Sequence, residues 1–249
     1  SFGAVKAVQD VSFAVEHGEI FGLLGSNGAG KTTTIRMILD LIRPDSGQIA
    51  VFGGPFVEGT KARVGYLPEE RGLYRDMKLW DLMLYLGQLK GLSMLSVKER
   101  AERYLKQVDL WEARELKVEA LSRGMGQKAQ FVAAALHEPE LVIIDEPFSG
   151  LDPVNTAVIR ELIYSMRDRG AAVIMSTHQM HQVEEMCQRI LLIDRGRAVL
   201  YGDLDEVREQ FSSNVVEVTL SGEIGVLPGV ERAERQDGGY RLWLGETTA

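Results

Sequence analysis

The order of apolar and polar positions changes period several times along the 249 residues. Residues 5–15 and 20–24 carry β-type apolar runs separated by the polar turn Glu16-His17-Gly18-Glu19, a pattern that predicts two strands. The second run enters a glycine-rich stretch and then a helix-like segment, 31–42, punctuated by Pro44-Asp45-Ser46-Gly47. Short strands are expected at 48–52 and 63–67. From 76 to 138 the period becomes helical: Leu79, Leu82, Leu86 and Leu89 share one face, and Tyr104, Leu105 and Val108 recur at the same spacing. Beyond 140 the pattern alternates: strand 141–144, helix 155–169, strand 172–176, helix 180–187, strand 189–194. A turn, Arg195-Gly196-Arg197, leads to a last strand, 198–201, and a short helix, 204–211. Such alternation predicts an α/β protein with a mostly parallel sheet and crossover helices.

Residues 212–249 read differently. Val216, Val218 and Leu220 alternate with polar residues, as do Tyr240, Leu242 and Leu244, and Pro228-Gly229 lies between. Two strands of a small β appendage are expected, attached to a larger domain over 1–211.

Composition narrows the class. Hydrophobic residues make up 45% and charged residues 26%, ordinary values for a globular chain long enough to bury its own core. The single cysteine, Cys187, excludes an internal disulfide and fits a buried structural thiol in a reducing compartment. A net charge of −8 argues against an extended nucleic-acid surface, which needs clustered Lys and Arg. The apolar runs are short, such as 141–144 and 190–193, against the roughly 20 residues that span a bilayer. No signal peptide opens the chain and no Met begins it, so Ser1 is not expected to be the native start.

Two stretches carry candidate chemistry. Gly25-Ser26-Asn27-Gly28-Ala29-Gly30-Lys31-Thr32 fits the G-x-x-x-x-G-K-[ST] pattern between an apolar strand and a helix. Small residues let backbone N–H groups close around phosphate oxygens, and the following helix points its N-terminus at the anion. Lys31 supplies a mobile point charge, and the Thr32 hydroxyl can ligate Mg²⁺. The second stretch is the buried-strand run 141–144, ending in Asp145-Glu146. Ligands of doubly wound sheets sit at carboxyl strand ends. Asp145 is therefore placed to hold Mg²⁺, directly or through water, and Glu146 to polarise a water for in-line attack on a γ-phosphate.

With Pro147-Phe148-Ser149-Gly150-Leu151-Asp152 following, the chain resembles the ABC ATPase family over roughly residues 1–210. Residues 25–33, closing with Thr33, look like its Walker A. Leu121-Ser122-Arg123-Gly124-Met125 looks like its signature motif and Ser149-Gly150-Leu151-Asp152 like its D-loop. His178 looks like the switch histidine, Phe2 like the aromatic that stacks on adenine, and Tyr66-Leu67-Pro68-Glu69 like the Q-loop. The resemblance implies a P-loop core with an N-terminal antiparallel β subdomain and an α-helical subdomain over about 76–138. It implies a Mg²⁺-dependent ATPase in which Glu146 orients the attacking water, His178 contacts the γ-phosphate and Lys31 also serves hydrolysis, while Thr32, Glu69 and Asp145 serve the metal. Ser122 and Gly124 would reach the γ-phosphate of ATP on a second subunit bound head to tail. A separate permease would complete a peripheral complex on the cytoplasmic face of the membrane. It would dock near residues 69–95, where Met77, Leu79, Leu84, Tyr85 and Leu92 offer apolar area.

Two positions depart from the family pattern. Glu69 stands where Gln is usual, and the signature has Arg123 and Met125 in place of Gly and Gln. Glu69-Glu70-Arg71-Gly72-Leu73-Tyr74 and the Leu-Ser-Arg-Gly-Met variant look most like the ABC-2 exporter branch, whose β appendage this chain would carry cut short. Arg123 and Lys128 read as a solvated face, and Trp80 and Trp111 as packing. Two other readings stay open: a soluble ABC ATPase outside transport, and an impaired half of a heterodimer, motivated by Glu69 and Met125. A P-loop GTPase would need an Asn-Lys-x-Asp element that the chain lacks.

Overall fold

Strands whose apolar residues run without interruption build the main sheet. β1 (Ile20–Leu24) is buried along its whole length, as are β3 (Leu141–Asp145) and β4 (Ala172–Thr177), the mark of strands covered on both faces. With β2 (Val64–Leu67), β5 (Arg189–Asp194) and β6 (Arg197–Asp203) they form six strands in the order β2-β3-β4-β1-β5-β6. All neighbours pair in parallel except β5 and β6, which form an antiparallel edge. The computed structural model describes residues 6–69, 72–211, 215–220, 222, 225, 227–236 and 238–244. Phe2, Glu70 and Arg71 lie outside the described residues. The chain divides into two compact units, 1–204 and 205–249.

Helix α1 (Lys31–Ile38) follows β1 and stops four residues before the sequence pattern suggests. Asp40 adopts a left-handed φ of 54°, and the N–H groups of Leu41 and Ile42 both return to the Arg36 carbonyl. A left-handed residue just past the last turn satisfies orphan carbonyls and ends a helix without waiting for proline. After the short α2 (Glu58–Lys61) and β2 come α3 (Leu79–Leu89), α4 (Met94–Gln107), two single 3₁₀ turns and α5 (Arg123–Ala135). Leu79, Leu82, Met83, Val97, Ala101, Tyr104 and Leu105 are each fully buried where these helices meet. Burial of the Leu, Met and Val side chains contributes about 1.5–3 kcal/mol each. Trp80 and Trp111 pack edge to face at 5.5 Å.

Leu79 therefore belongs to the helical core and offers no docking area, while Met77, Leu84 and Leu92 are half-buried. The apolar side chains exposed in this region are Tyr74, Tyr85, Leu89, Met94 and Leu95. Periodicity alone cannot tell the core stripe from an adjacent exposed one.

The expected N-terminal strand is a second difference. The described residues 6–15 join no ladder. Val11, Phe13 and Val15 pack on the core cluster while Ser12 and Ala14 are exposed, so the alternation is real. Asp10, with φ 51°, breaks the run, and Gln9 N–H donates singly to the Gly196 carbonyl at 2.6 Å. Residues 48–50 likewise join no strand, and 51–54 form a tight turn, with Phe52 at φ 54° and one antiparallel bridge between Val51 and Gly54.

Helices α6 (Pro153–Asp168) and α7 (Met180–Met186) connect β3, β4 and β5. The Cys187 thiol is buried at the end of α7, and burial pushes it up to about 12. In the second unit, α8 (Leu204–Phe211) leads to β7 (Val215–Thr219), β8 (Val230–Gln236) and β9 (Gly239–Leu244), an antiparallel sheet in the order β7-β9-β8. β8, with the sequence Val-Glu-Arg-Ala-Glu-Arg-Gln, escapes the apolar pattern because its side chains are mostly exposed.

Candidate functional site

The site is made by three adjacent strand ends. β4 lies between β1 and β3, with Leu24 level with Thr177 and Asp145 level with Ser176. The loop after β1, the Asp145-Glu146 pair at the end of β3 and His178 after β4 therefore emerge side by side.

The loop after β1 holds Gly25, Ser26, Asn27, Gly28, Ala29 and Gly30. Ala29 N–H donates to the Ser26 carbonyl at 3.1 Å, closing a turn with Ser26, Asn27 and Gly28 exposed. Gly30 has φ 116°, and a Cβ there would stand 2.6 Å from the Ala7 carbonyl oxygen, so neither the conformation nor the space admits a side chain. Helix α1 starts at Lys31, and its first intrahelical bond runs from Thr34 N–H to Gly30. The N–H groups of Lys31, Thr32 and Thr33 have no intrahelical partner, the arrangement that binds anions. The Lys31 ammonium is buried and donates to the carbonyls of Gly25 (2.7 Å) and Ser26 (3.3 Å), with Glu146 Oε1 at 3.9 Å.

Asp145 is held from two sides. Thr32 Oγ1 donates to its Oδ2 at 3.0 Å, and Ser176 Oγ donates to its Oδ1. Glu146 has a left-handed φ of 52°, an uncommon conformation costing on the order of 1 kcal/mol or more, and its N–H still donates to the Ser176 carbonyl at 3.0 Å. The kink turns the chain off the sheet and leaves the Glu146 carboxylate 2.8 Å from His178 Nδ1. An ionised carboxylate only accepts, so Nδ1 carries the hydrogen.

A cleft of about 470 Å³ opens on Asp145 and Glu146. Its walls include Glu69, Arg123, Gln127, Gln130 and Ser149. Among the described residues no three His, Cys, Asp or Glu side chains gather into a metal-binding group, so Glu69 shares the cleft with the two acids without joining a cage. Mg²⁺ bound with a nucleotide takes one or two protein oxygens and fills its octahedron with phosphate and water. The Thr32 hydroxyl and Asp145 carboxylate, already 3.0 Å apart, fit that donor set.

Ser122 and Gly124 are not among the residues lining this cleft. Ser122 is the N-cap of α5, accepting from Met125 N–H at 3.3 Å, so the helix starts at Arg123. Lys128 is buried, which corrects its reading as part of a solvated face; Arg123 is exposed but faces the cleft. Sequence reasoning missed Ser176, whose signal was its place at a strand end level with Asp145, and Gln127, whose amide donates to the Pro147 carbonyl at 2.7 Å.

Comparison with known proteins gives a consistent picture. The family model described as ABC transporter matches residues 8–149. An uncharacterized ABC transporter ATP-binding protein, YhaQ of Bacillus subtilis, is 40% identical over 93% of this chain and 78% of its own length. The linearmycin resistance ATP-binding protein LnrL of the same organism is 36% identical over 89% of this chain and 73% of its own. A solved structure described as the ATP-binding subunit of an ABC transporter superimposes with a TM-score of 0.78 at 35% identity, covering 85% of this chain and 89% of that one.

Proposed function

The chain belongs to the ABC transporter ATP-binding family, and on that premise we propose that it hydrolyses ATP in a Mg²⁺-dependent way to power an exporter. The observation that carries the hydrolytic reading is the convergence of Lys31, Thr32, Asp145, Glu146 and His178 at three neighbouring strand ends.

In this reading the loop of residues 25–30 and the N–H groups of Lys31, Thr32 and Thr33 wrap the phosphates, and the Lys31 ammonium leaves its backbone carbonyls to neutralise them. Bound Mg²⁺ would supply positive charge to offset the negative charge developing on the phosphates. Thr32 and Asp145 would hold it, Ser176 fixing the carboxylate from behind. The Glu146 carboxylate accepts a proton from the attacking water, and His178 orients that carboxylate through Nδ1. Phe2 would stack on the adenine.

Ser122 and Gly124, outside the cleft, are assigned to the γ-phosphate of a second chain in a head-to-tail dimer with two nucleotides buried between the chains. The N-terminus of α5 supports this, because the N–H groups of Arg123 and Gly124 have no intrahelical partner, while that of Met125 is held by Ser122. A separate transmembrane permease is the second partner, and the proposed location is peripheral, on the cytoplasmic face of the membrane. No helix among the described residues is long and apolar enough to cross a membrane. The surface offered to the permease is Tyr74, Tyr85, Leu89, Met94 and Leu95. Export is the direction favoured by the Leu-Ser-Arg-Gly-Met variant and by a relative named for resistance to linearmycin.

Light scattering of Glu146→Gln tests the dimer. Saturating ATP should double the mass, because arrested hydrolysis holds the nucleotide sandwich; a monomer at high protein concentration counts against it.

A further inference from the structure

Arg123, a departure from the usual signature pattern, lies flat on the loop that leaves Glu146. A Cβ on Gly150 would stand 2.0 Å from Arg123 Nη2 and 2.5 Å from its Cζ, so the guanidinium occupies the space a side chain at 150 would need. Gly150 also has φ +68°, which keeps the loop in a conformation natural to glycine. Two further contacts join the same segments. The Gln127 amide, buried, donates to the Pro147 carbonyl at 2.7 Å. A Cβ on Gly124 would stand 2.7 Å from Asn155 Nδ2, so the first turn of α5 is pressed against the start of α6. Asn155 is itself fixed, its N–H and side-chain amide both donating to Asp152 at 2.9 and 2.5 Å.

The Arg123 guanidinium makes no hydrogen bond or ion pair among the described residues, although it shares the cleft with Glu69, Asp145 and Glu146. Its contribution in this geometry is planar packing on a backbone that has no side chain, which a lysine cannot reproduce. Pro147 directly follows the strained Glu146, so whatever holds residues 147–150 also fixes the direction in which the Glu146 carboxylate projects.

We propose that Arg123 is a positioning residue that, with Gln127, fastens the first turns of α5 to the loop 147–150 of the same chain. The signature segment and Glu146 then move as one piece. An anion arriving at the start of α5 would set the water-polarising carboxylate of that chain, which in turn serves the other nucleotide of the pair. This consequence rests on the head-to-tail reading above; the fastening itself does not.

The test is a double-mutant cycle on steady-state ATP hydrolysis with Arg123→Ala and Gln127→Met, run on the full chain. Each single variant should lower kcat about tenfold while KM for ATP and the Kd of a fluorescent ATP analogue stay within twofold. The double variant should be no worse than the weaker single, because both act through one loop. Arg123→Lys should fail to restore kcat, which separates planar packing from charge. Unchanged kcat in Arg123→Ala, a KM rise that accounts for the loss, additive losses near a hundredfold, or full rescue by lysine would each overturn the proposal. Unchanged analogue binding excludes misfolding as the cause of a lower kcat. Failure of the dimer reading would register separately, as a monomer in light scattering, and leaves this cycle interpretable.

Discussion

His178 Nδ1 lies 2.8 Å from Glu146 Oε1, joining the residue after β4 to the residue after β3 by a single hydrogen bond. The pair explains why a left-handed, strained glutamate is tolerated: its N–H keeps a sheet bond to Ser176, and its carboxylate is caught by the next strand's end. Glu146→Gln should retain ATP binding and lose turnover by at least about 100-fold, as removal of a positioned base does. His178→Ala should lower kcat by about 10-fold or more with ATP affinity within threefold, since it removes orientation and leaves the phosphate loop intact. Stopped-flow phosphate release together with equilibrium nucleotide binding checks both. Near wild-type release in Glu146→Gln would remove Glu146 from the chemistry.

The Thr32 hydroxyl and Asp145 carboxylate are already within 3.0 Å, so they need little rearrangement to share one cation. Thr32→Val keeps the side chain's shape and deletes the oxygen. The Mg²⁺ concentration for half-maximal ATPase rate should rise about tenfold, equivalent to about 1.4 kcal/mol. Thr32→Ser should stay within threefold. Nucleotide binding measured in excess chelator should be unaffected by either change. An equal loss of metal-free binding would assign Thr32 to the phosphates alone.

Much of the fold was legible because the relevant residues obey local rules. The runs of β1 and β3 are apolar because both faces are covered, and they predicted a parallel sheet whose carboxyl ends hold a ligand. Glycine and lysine at fixed spacing singled out the loop of residues 25–30 as an anion-binding candidate without any fold at all. Three features were hidden for different reasons. Residues 6–15 alternate like a strand but meet no partner strand in a ladder, and the Asp10 kink is invisible in a pattern of hydrophobicity. β8 is polar on most of its length, and only its pairing with β9 makes it a strand. Ser176 and Gln127 are ordinary residues in sequence, and become part of the site because β4 runs beside β3 and α5 passes the Pro147 carbonyl. Leu79 shows the converse: helical spacing named it apolar, but only the packing of α3 decided that its face is core.

Glu69 places a third carboxylate in the cleft of Asp145 and Glu146 where the family usually has Gln. A bound cation gains a harder, charged oxygen from Glu than from Gln. Glu69→Gln should therefore retain hydrolysis and require more Mg²⁺ for half-maximal rate. A Mg²⁺ titration at fixed ATP decides between the alternatives. An unchanged curve means that Glu69 only faces solvent, and a shift to lower Mg²⁺ refutes the charge argument.

His137 lies outside the cleft residues and bears on acid stability. Its Nε2 donates to the Val64 carbonyl at 3.1 Å, and its buried Nδ1 has no hydrogen-bond partner among the described residues. Burial pushes its pKa down to about 4, with the Lys90 ammonium and Arg100 acting in the same direction and the Val64 carbonyl opposing them. The folded-state value lies below the ordinary value of 6.5, so between those two values the unfolded chain takes up a proton that the folded chain refuses. The contribution of His137 is thus fully favourable above pH 6.5 and is lost as pH falls toward 4, by roughly 3 kcal/mol in all. His137→Gln keeps a donor for the Val64 carbonyl and removes the titration. Urea unfolding of both proteins at pH 7.5 and pH 4.5 isolates the effect from the carboxylates, which titrate in both. Relative to the variant, the wild type should lose roughly 2–3 kcal/mol between the two conditions. A stability difference that is the same at both values would show that the imidazole is protonated in the folded protein without penalty.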